Sequence, residues 1–382
     1  MALEFMNPYS TAKLLSGVIP ANQTVRPNWL QTFFGQTRTS EEKTVNFDVE
    51  FATNNVMGMH VSPDVDVTPI MLPDYGHKEL SFAYAKEGLN SPDYEEINTR
   101  RLGQPIGTVD VAANEVINIR AKLALAEQRF ENLFELNASN IIFTGKHTAS
   151  SEKHPKVVYD FGRIRPTDAN DADVKYLSGY APELDLTTLN GNGGIGKRAW
   201  GSTGGTKAPT PVKDLITMVN TADRRGGVKA VVMSGNAYDA FEADIIANYK
   251  DAATLTLSVQ NRIDLKILPV VEKYKSLNFR RSYPVGQGRY VDIYTYDAIY
   301  HDRDTRAETK YVPDGYVACL PDSQLGVKVY GRIMHPKAKY AAMPRWINFW
   351  ENAKTGKREW EVHTNFLMGH IDINSVVAWK VM

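Results

Sequence analysis

Residues Thr108–Asn137 read TVDVAANEVINIRAKLALAEQRFENLFELN, thirty residues without a proline or a glycine. Val109, Ala112, Val116, Ile119, Leu123, Ala126, Phe130 and Leu133 recur at the three-to-four spacing of an amphipathic helix. Thr108 is placed to cap it, and Asp110 suits the positive end of its dipole. At ~1.5 Å per residue the helix runs about 45 Å, more than twice the ordinary globular length of ~11–12 residues, so it predicts a scaffold on which other elements hang. Its polar face carries Glu127, Glu131 and Glu135 at i, i+4 and i+8. Three stacked like charges cost an isolated helix a few tenths of a kcal/mol per pair. The row is either a solvated acidic face or a ridge answered by basic residues of this chain or of another subunit. Arg345, Lys354, Lys357 and Arg358 are the expected partners across a subunit contact.

The chain has 382 residues, enough for two or three domains or one elaborated domain. Lys plus Arg equals 44 and Asp plus Glu equals 44. A dedicated nucleic-acid binder carries a basic excess, so any DNA contact is expected to be local. Cys319 is the single cysteine, which excludes an intrachain disulfide and fits a reducing cytoplasm. No basic and apolar leader opens the chain and no apolar run reaches ~18 residues, so membrane insertion is not expected.

Upstream of the helix, residues 1–40 read as an arm. Pro8, Pro20 and Pro27 interrupt it, and Trp29, Phe33 and Phe34 form an aromatic cluster that needs a surface in this chain or on a neighbour. Residues 44–86 hold three segments of period two: Val45 to Phe51, Met57 to Val61, and Leu80 to Tyr84. Pro63, Pro69, Pro73 and Gly76 separate the last two, which predicts an antiparallel ribbon with a long loop that leans on another body. Downstream, Asn140–Thr144 and Lys156–Phe161 resemble a hairpin. Residues 166–211 are rich in Asp, Asn, Gly and Thr, as assembly-related loops are. From Val212 the texture is α/β: helices at Val212–Asp223 and Asn236–Tyr249, strands at Val228–Met233, Ile263–Val271, Tyr290–Tyr296 and Tyr316–Leu320. Residues 326–382 are almost wholly strand-like.

Chemical motifs are sparse. Gly191-Asn-Gly193-Gly-Ile-Gly196-Lys197 matches two phosphate-binding patterns. No apolar strand precedes it, Arg198 stands where a P-loop places Ser or Thr, and AWGSTGG cannot continue as a helix, so it reads as a glycine loop. His301, Asp302 and Asp304, and separately His363 and His370, lack a defined metal-ligand spacing. No zinc-protease, nucleophile-elbow or Cys/His context appears, and no carboxylates are paired for acid–base work, so no catalytic, cofactor-binding or metal residue is assigned. Residues 332–358 set seven Lys and Arg against Glu351, with Tyr340, Trp346, Phe349 and Trp350 interleaved. That pattern suits single-stranded nucleic acid, or an aromatic core strand with a solvated or subunit-facing basic edge.

A set of short motifs occurs in a fixed order: Ser10-Thr-Ala-Lys-Leu-Leu15, Trp29-Leu-Gln-Thr-Phe-Phe-Gly35, Glu42-Lys-Thr-Val45, Val61-Ser-Pro63 and Arg100-Arg101 before the helix. Val157-Val-Tyr-Asp-Phe-Gly-Arg163, Val312-Pro-Asp314, Val329-Tyr-Gly331 and Val376-Val-Ala-Trp-Lys380 follow it. In this order the chain resembles the major capsid proteins of lambda-type tailed bacteriophages. The resemblance implies an α+β chain with the Hong Kong 97-type capsid fold. Its implied parts are an N-terminal arm (1–40), an extended β loop (41–99), a peripheral domain (100–211) with the long helix, an axial α/β domain (212–325) and a return to the peripheral domain (326–382). It implies a non-enzymatic shell subunit without cofactor, assembling with itself into hexamers and pentamers around double-stranded DNA. A separate scaffolding protein, a portal and a decoration protein are the further partners, and assembly is expected in the host bacterial cytoplasm. Trp29, Phe33, Phe34, Val61, Pro63, Tyr75, Glu127, Glu131, Glu135, Arg345 and Arg358 are the expected inter-subunit residues. An encapsulin-like cellular compartment and a nucleotide-dependent enzyme built on residues 191–197 are the alternative readings.

Overall fold

The computed structural model describes residues 28–50, 75–90, 111–151, 154–163, 183–187, 199–201, 209–223, 227–248, 274, 276–286, 289–302, 305–321, 324–351, 358–370 and 375–382. The long helix, α1, spans Val111–Thr144, 34 residues. Ile119, Leu123, Ala126 and Phe130 are buried as their spacing predicts, and the stripe continues through Phe134, Ala138 and Ile141. Val116 departs from it and is 43% exposed, although Asn114, half a turn earlier, is buried.

Residues 140–144, expected as a strand, are instead the last turn of α1. Ile141, Ile142 and Phe143 are all buried because the helix end is enclosed on several sides, and three apolar residues in a row carry no helical period. Gly145, at φ +63°, ends the helix, its N–H donating to the Ile141 carbonyl at 3.0 Å. The hairpin strands come after it, as β5 (Lys146–Ser151) and β6 (His154–Asp160).

Two sheets flank α1. The first has six strands in the order β7 (Glu183–Asp185), β17 (Val377–Lys380), β13 (Tyr316–Leu320), β8 (Ala230–Met233), β10 (Arg289–Tyr296) and β9 (Leu277–Gly286). Its central strands are buried on both faces. Val231, Met233, Val317, Cys319, Val377 and Trp379 share a core with helices α2 (Pro211–Asp223) and α3 (Gly235–Asn248). Their neighbours Ala230, Val232, Ala318, Leu320 and Ala378 join the core that α1 covers. The period-two rule thus sorts one strand's residues between two cores. Strand β9 was not expected: its residues LNFRRSYPVG break the alternation with two arginines and a proline, which an edge strand tolerates. Residues 377–380 belong to this sheet rather than to the one formed by the rest of the C-terminal strands.

The second sheet is built on β16 (Arg358–His370), thirteen residues long. One edge carries β4 (Ala83–Asn90); the other carries β15 (Trp346–Glu351) and then β14 (Gly326–Tyr330), with β1 (Gln36–Thr39) added in parallel to β14. Gly326 is required, since a Cβ there would lie 2.1 Å from the Gly369 carbonyl oxygen. A separate two-stranded ribbon pairs β2 (Thr44–Glu50) with β3 (Tyr75–Ser81). The alternating run Leu80–Tyr84 is therefore not one strand: it breaks at Phe82, where the chain leaves the ribbon and enters the second sheet as β4. The expected strands Met57–Val61 and Ile263–Val271 lie outside the described residues.

Candidate assembly site: the clasp on the long helix

Seven of the eleven expected inter-subunit residues, Trp29, Phe33, Phe34, Glu127, Glu131, Glu135 and Arg345, come together at one place within one chain. Residues Leu30–Phe34 form a 3-10 turn whose N-cap, Trp29, offers no side-chain acceptor. The first N–H groups of such a turn are orphans that need partners. Glu135 supplies them from α1: Oε1 accepts from the Trp29 and Leu30 amides at 3.1 and 2.8 Å, and Oε2 accepts from Gln31 at 2.9 Å. Its carboxylate is fully buried. Burial pushes its pKa up, while the Gln31, Leu30 and Trp29 amides pull it down.

Glu131, one turn earlier, holds the same segment by its edges. Its carboxylate accepts from Gln31 Nε2 at 2.8 Å and its carbonyl from Asn28 Nδ2 at 3.1 Å. Lys328, from β14, donates to Gln31 Oε1 at 3.1 Å. Arg345 bridges Glu127 and Glu131, the latter at 2.6 Å, and its guanidinium lies 5.9 Å over the Phe134 ring. The acidic row is therefore answered inside the subunit, with Arg345 of the same chain as the basic partner. Glu135 differs from the rest of the row in burial: the docked segment covers it completely, while the Glu131 side chain stays partly exposed.

The aromatic cluster is likewise satisfied in its own chain. Trp29 is 8% exposed and packs on Phe33, Tyr294 and Tyr296 at centroid distances of 5.5, 5.5 and 6.1 Å. Leu30 and Phe34 are buried completely. Burying such side chains stabilises by about 1.5–3 kcal/mol each, which offsets the several kcal/mol of desolvation at the Glu135 carboxylate. Tyr296 also lies beside that carboxylate; burial first and the Glu135 charge second push its phenol far up.

The remaining expected residues are spread elsewhere. Tyr75 opens β3 opposite Glu50, and Arg358 opens β16 opposite Glu351; neither side chain lies within the described residues. Val61, Pro63, Lys354, Lys357 and the glycine loop 191–198 are outside them too. The loop's downstream flank is described and is structural. Trp200 is buried, donates Nε1–H to Asp214 at 3.0 Å, and its amide donates to the Val381 carbonyl at 2.7 Å. His363 lies in a hydrogen-bonded group, with Tyr84 at 2.6 Å on Nδ1 and Glu361 at 3.2 Å on Nε2. Among the described residues no three His, Cys, Asp or Glu side chains converge as metal ligands.

Sequence reading missed two buried polar residues. Arg163, with no exposed side-chain surface, donates to the Ile142 and Ile141 carbonyls at 2.8 and 2.9 Å and lies 3.9 Å from Glu183. It neutralises the negative end of the α1 dipole, and no local pattern marks it. His147, on β5, is fully buried and stacks on Tyr159, and burial brings its pKa down to about 4.

The architecture is thus a 34-residue helix carrying two sheets, with a two-stranded ribbon. The crystal structure of a protein assigned as the capsid protein of an E. coli CFT073 prophage shares it with a TM-score of 0.64 at 13% identity, over 99% of both chains. A phage-related protein of Bordetella bronchiseptica RB50 aligns over 96% of both chains at 10% identity with a TM-score of 0.45. The encapsulin complex of Synechococcus elongatus PCC 7942 aligns over 99% of this chain and 96% of that one, at 12% identity and a TM-score of 0.41. No curated protein matches the sequence. Residues 195–381 match the family described as phage major capsid protein E. The chain is a phage major capsid protein, a subunit of the phage head.

Proposed function

We propose that the subunit builds an icosahedral head of hexamers and pentamers in the Hong Kong 97-type manner, without catalysis, around packaged double-stranded DNA. The observation that carries this reading is the capsid family match over residues 195–381, which hold five of the six strands of the six-stranded sheet and three of the five in β16's sheet. In this reading residues 212–325 with β17 make the axial domain, α1 with the β16 sheet the peripheral domain, and the β2–β3 ribbon with residues 51–74 the extended loop. The balanced charge of 44 cations and 44 anions suits a wall that meets DNA non-specifically. Self-association through many modest contacts suffices, since a closed shell engages each subunit on several sides. A separate scaffold, a portal and a decoration protein are the partners, and the host bacterial cytoplasm is the place of assembly.

The test is direct. The chain is expressed in bacteria with and without a co-expressed scaffolding protein, sedimented, and viewed by negative-stain microscopy. Closed particles of megadalton mass are expected. Monomer or small oligomer under every condition refutes the reading. Particles that form only around a co-purifying enzyme favour the encapsulin-like alternative instead.

A further inference from the structure

The N-terminal segment is docked in a single register, and apolar contacts do not explain why. Trp29, Leu30, Phe33 and Phe34 offer an apolar run that could slide along α1 by a residue at little cost, because the hydrophobic effect has no direction. A buried carboxylate has direction. Glu135 accepts from the three free amides that open the turn, and the next amide, Thr32's, is already given to the Trp29 carbonyl at 3.0 Å. A shift that brings Thr32 forward leaves a charged oxygen without a donor inside the core. Two further contacts agree with the same register. Glu131 and Lys328 take the two ends of the Gln31 amide. Strand β1 then runs parallel to β14 from Gln36 against Val327 to Thr39 against Tyr330, and the Leu325 amide donates to the Phe33 carbonyl at 2.8 Å.

We infer that Glu135 is the positioning residue that makes residues 28–39 part of the subunit's own core, and so sets Asn28 as the point from which the assembly arm reaches a second copy of the chain. This rests on the assembly reading above. It differs from an arm of residues 1–40: the twelve residues 28–39 are held within their own subunit. The direction of reach is then a property of α1. Asn28 is tied to the Glu131 carbonyl, one turn from the carboxylate that holds Trp29, so the arm's root turns with the helix.

The variants Glu135→Gln and Glu135→Asp, in the full chain, test this. Gln keeps the shape, but its NH2 group faces a backbone N–H that the carboxylate accepted. Asp keeps the charge and falls one methylene short. Tryptic cleavage after Arg38, which β1 pairing protects, is followed on unassembled subunits, with circular dichroism and particle yield measured in parallel. Expected are a cooperative melt, cleavage about tenfold faster through loss of a charge-assisted hydrogen bond, and loss of closed particles. Unchanged cleavage in both variants overturns the inference. Faster cleavage with normal particle yield also overturns it, because the arm's root would then not matter. If Gln prevents folding, Asp carries the test, and amide exchange at Trp29, Leu30 and Gln31 of the wild type checks the clasp without any mutation. Exchange there as fast as in an unstructured peptide sinks the idea. Should the wild type form no particles, the assembly reading fails by itself, and the cleavage and exchange data still judge the clasp.

Discussion

At the scale of single residues, the buried polar groups are the ones that the fold constrains most. His147 illustrates the arithmetic. Its folded pKa lies at about 4 against an ordinary value of 6.5, so between those limits the unfolded chain binds a proton that the folded chain does not. Stability from this group is complete above pH 6.5 and falls as the pH drops toward 4, by about 3 kcal/mol at ~1.4 kcal/mol per pKa unit. His147→Phe keeps a ring against Tyr159 without the titration. Thermal melts at intervals from pH 7 to pH 4 should show a shallower fall for this variant than for wild type. Parallel curves would mean that the His147 ring protonates in place. Glu135 runs the other way: burial raises its pKa on balance, against the pull of the Trp29–Gln31 amides, so stability tied to its titration is lost as the pH rises.

At the scale of elements, α1 owes its length to both of its ends. Its outer turns expose Val116, Ile117 and Leu125, while its last turns are enclosed and finish on Gly145. The C-terminal carbonyls there have no water to turn to, so Arg163 takes two of them and faces Glu183 as well. Arg163→Met keeps the aliphatic stem and removes the guanidinium. The expected loss is about 3–5 kcal/mol, the cost of stripping one partner from buried charge and carbonyls. Denaturant unfolding followed by far-UV circular dichroism measures it, and Arg163→Lys should recover part of the loss through a single point charge. A midpoint equal to wild type for the Met variant would place the cap's contribution elsewhere, with the Gly145 turn the next suspect.

At the scale of the whole molecule, the ribbon is where folding and assembly are expected to separate. Strands β2 and β3 pair only with each other among the described strands, and β4 carries the chain from them into the β16 sheet. A two-stranded ribbon is marginal by itself, so in the assembly reading its apolar face is completed by an adjacent subunit. Replacing residues 63–74 with a short Gly/Ser linker spares β3, which begins at Tyr75. A soluble chain with a cooperative melt and no closed particles is expected by sedimentation. Particles of normal diameter would show that the tip grips nothing, and loss of the melt would assign it to the subunit's own core.

Period and punctuation made much of this legible from residues alone. The apolar stripe through Ile119, Leu123, Ala126 and Phe130, the strands around VVM and YVACL, and the two helices after Val212 and Asn236 are local patterns, and a one-dimensional repeat reports them faithfully. The order of short motifs led to the capsid family. Tertiary structure alone decided which partners meet. Glu135 and Trp29 are 106 positions apart, Glu131 and Arg345 are 214 apart, and nothing in either local sequence distinguishes a buried acceptor from a solvated one. The same limit turned residues 140–144 from an expected strand into helix, and split Leu80–Tyr84 between two sheets. The physical reason is common to all of these cases. Period records which side of an element is apolar, whereas the desolvation of a charge, the enclosure of a helix end and the strand a segment pairs with depend on what the folded chain brings from far away.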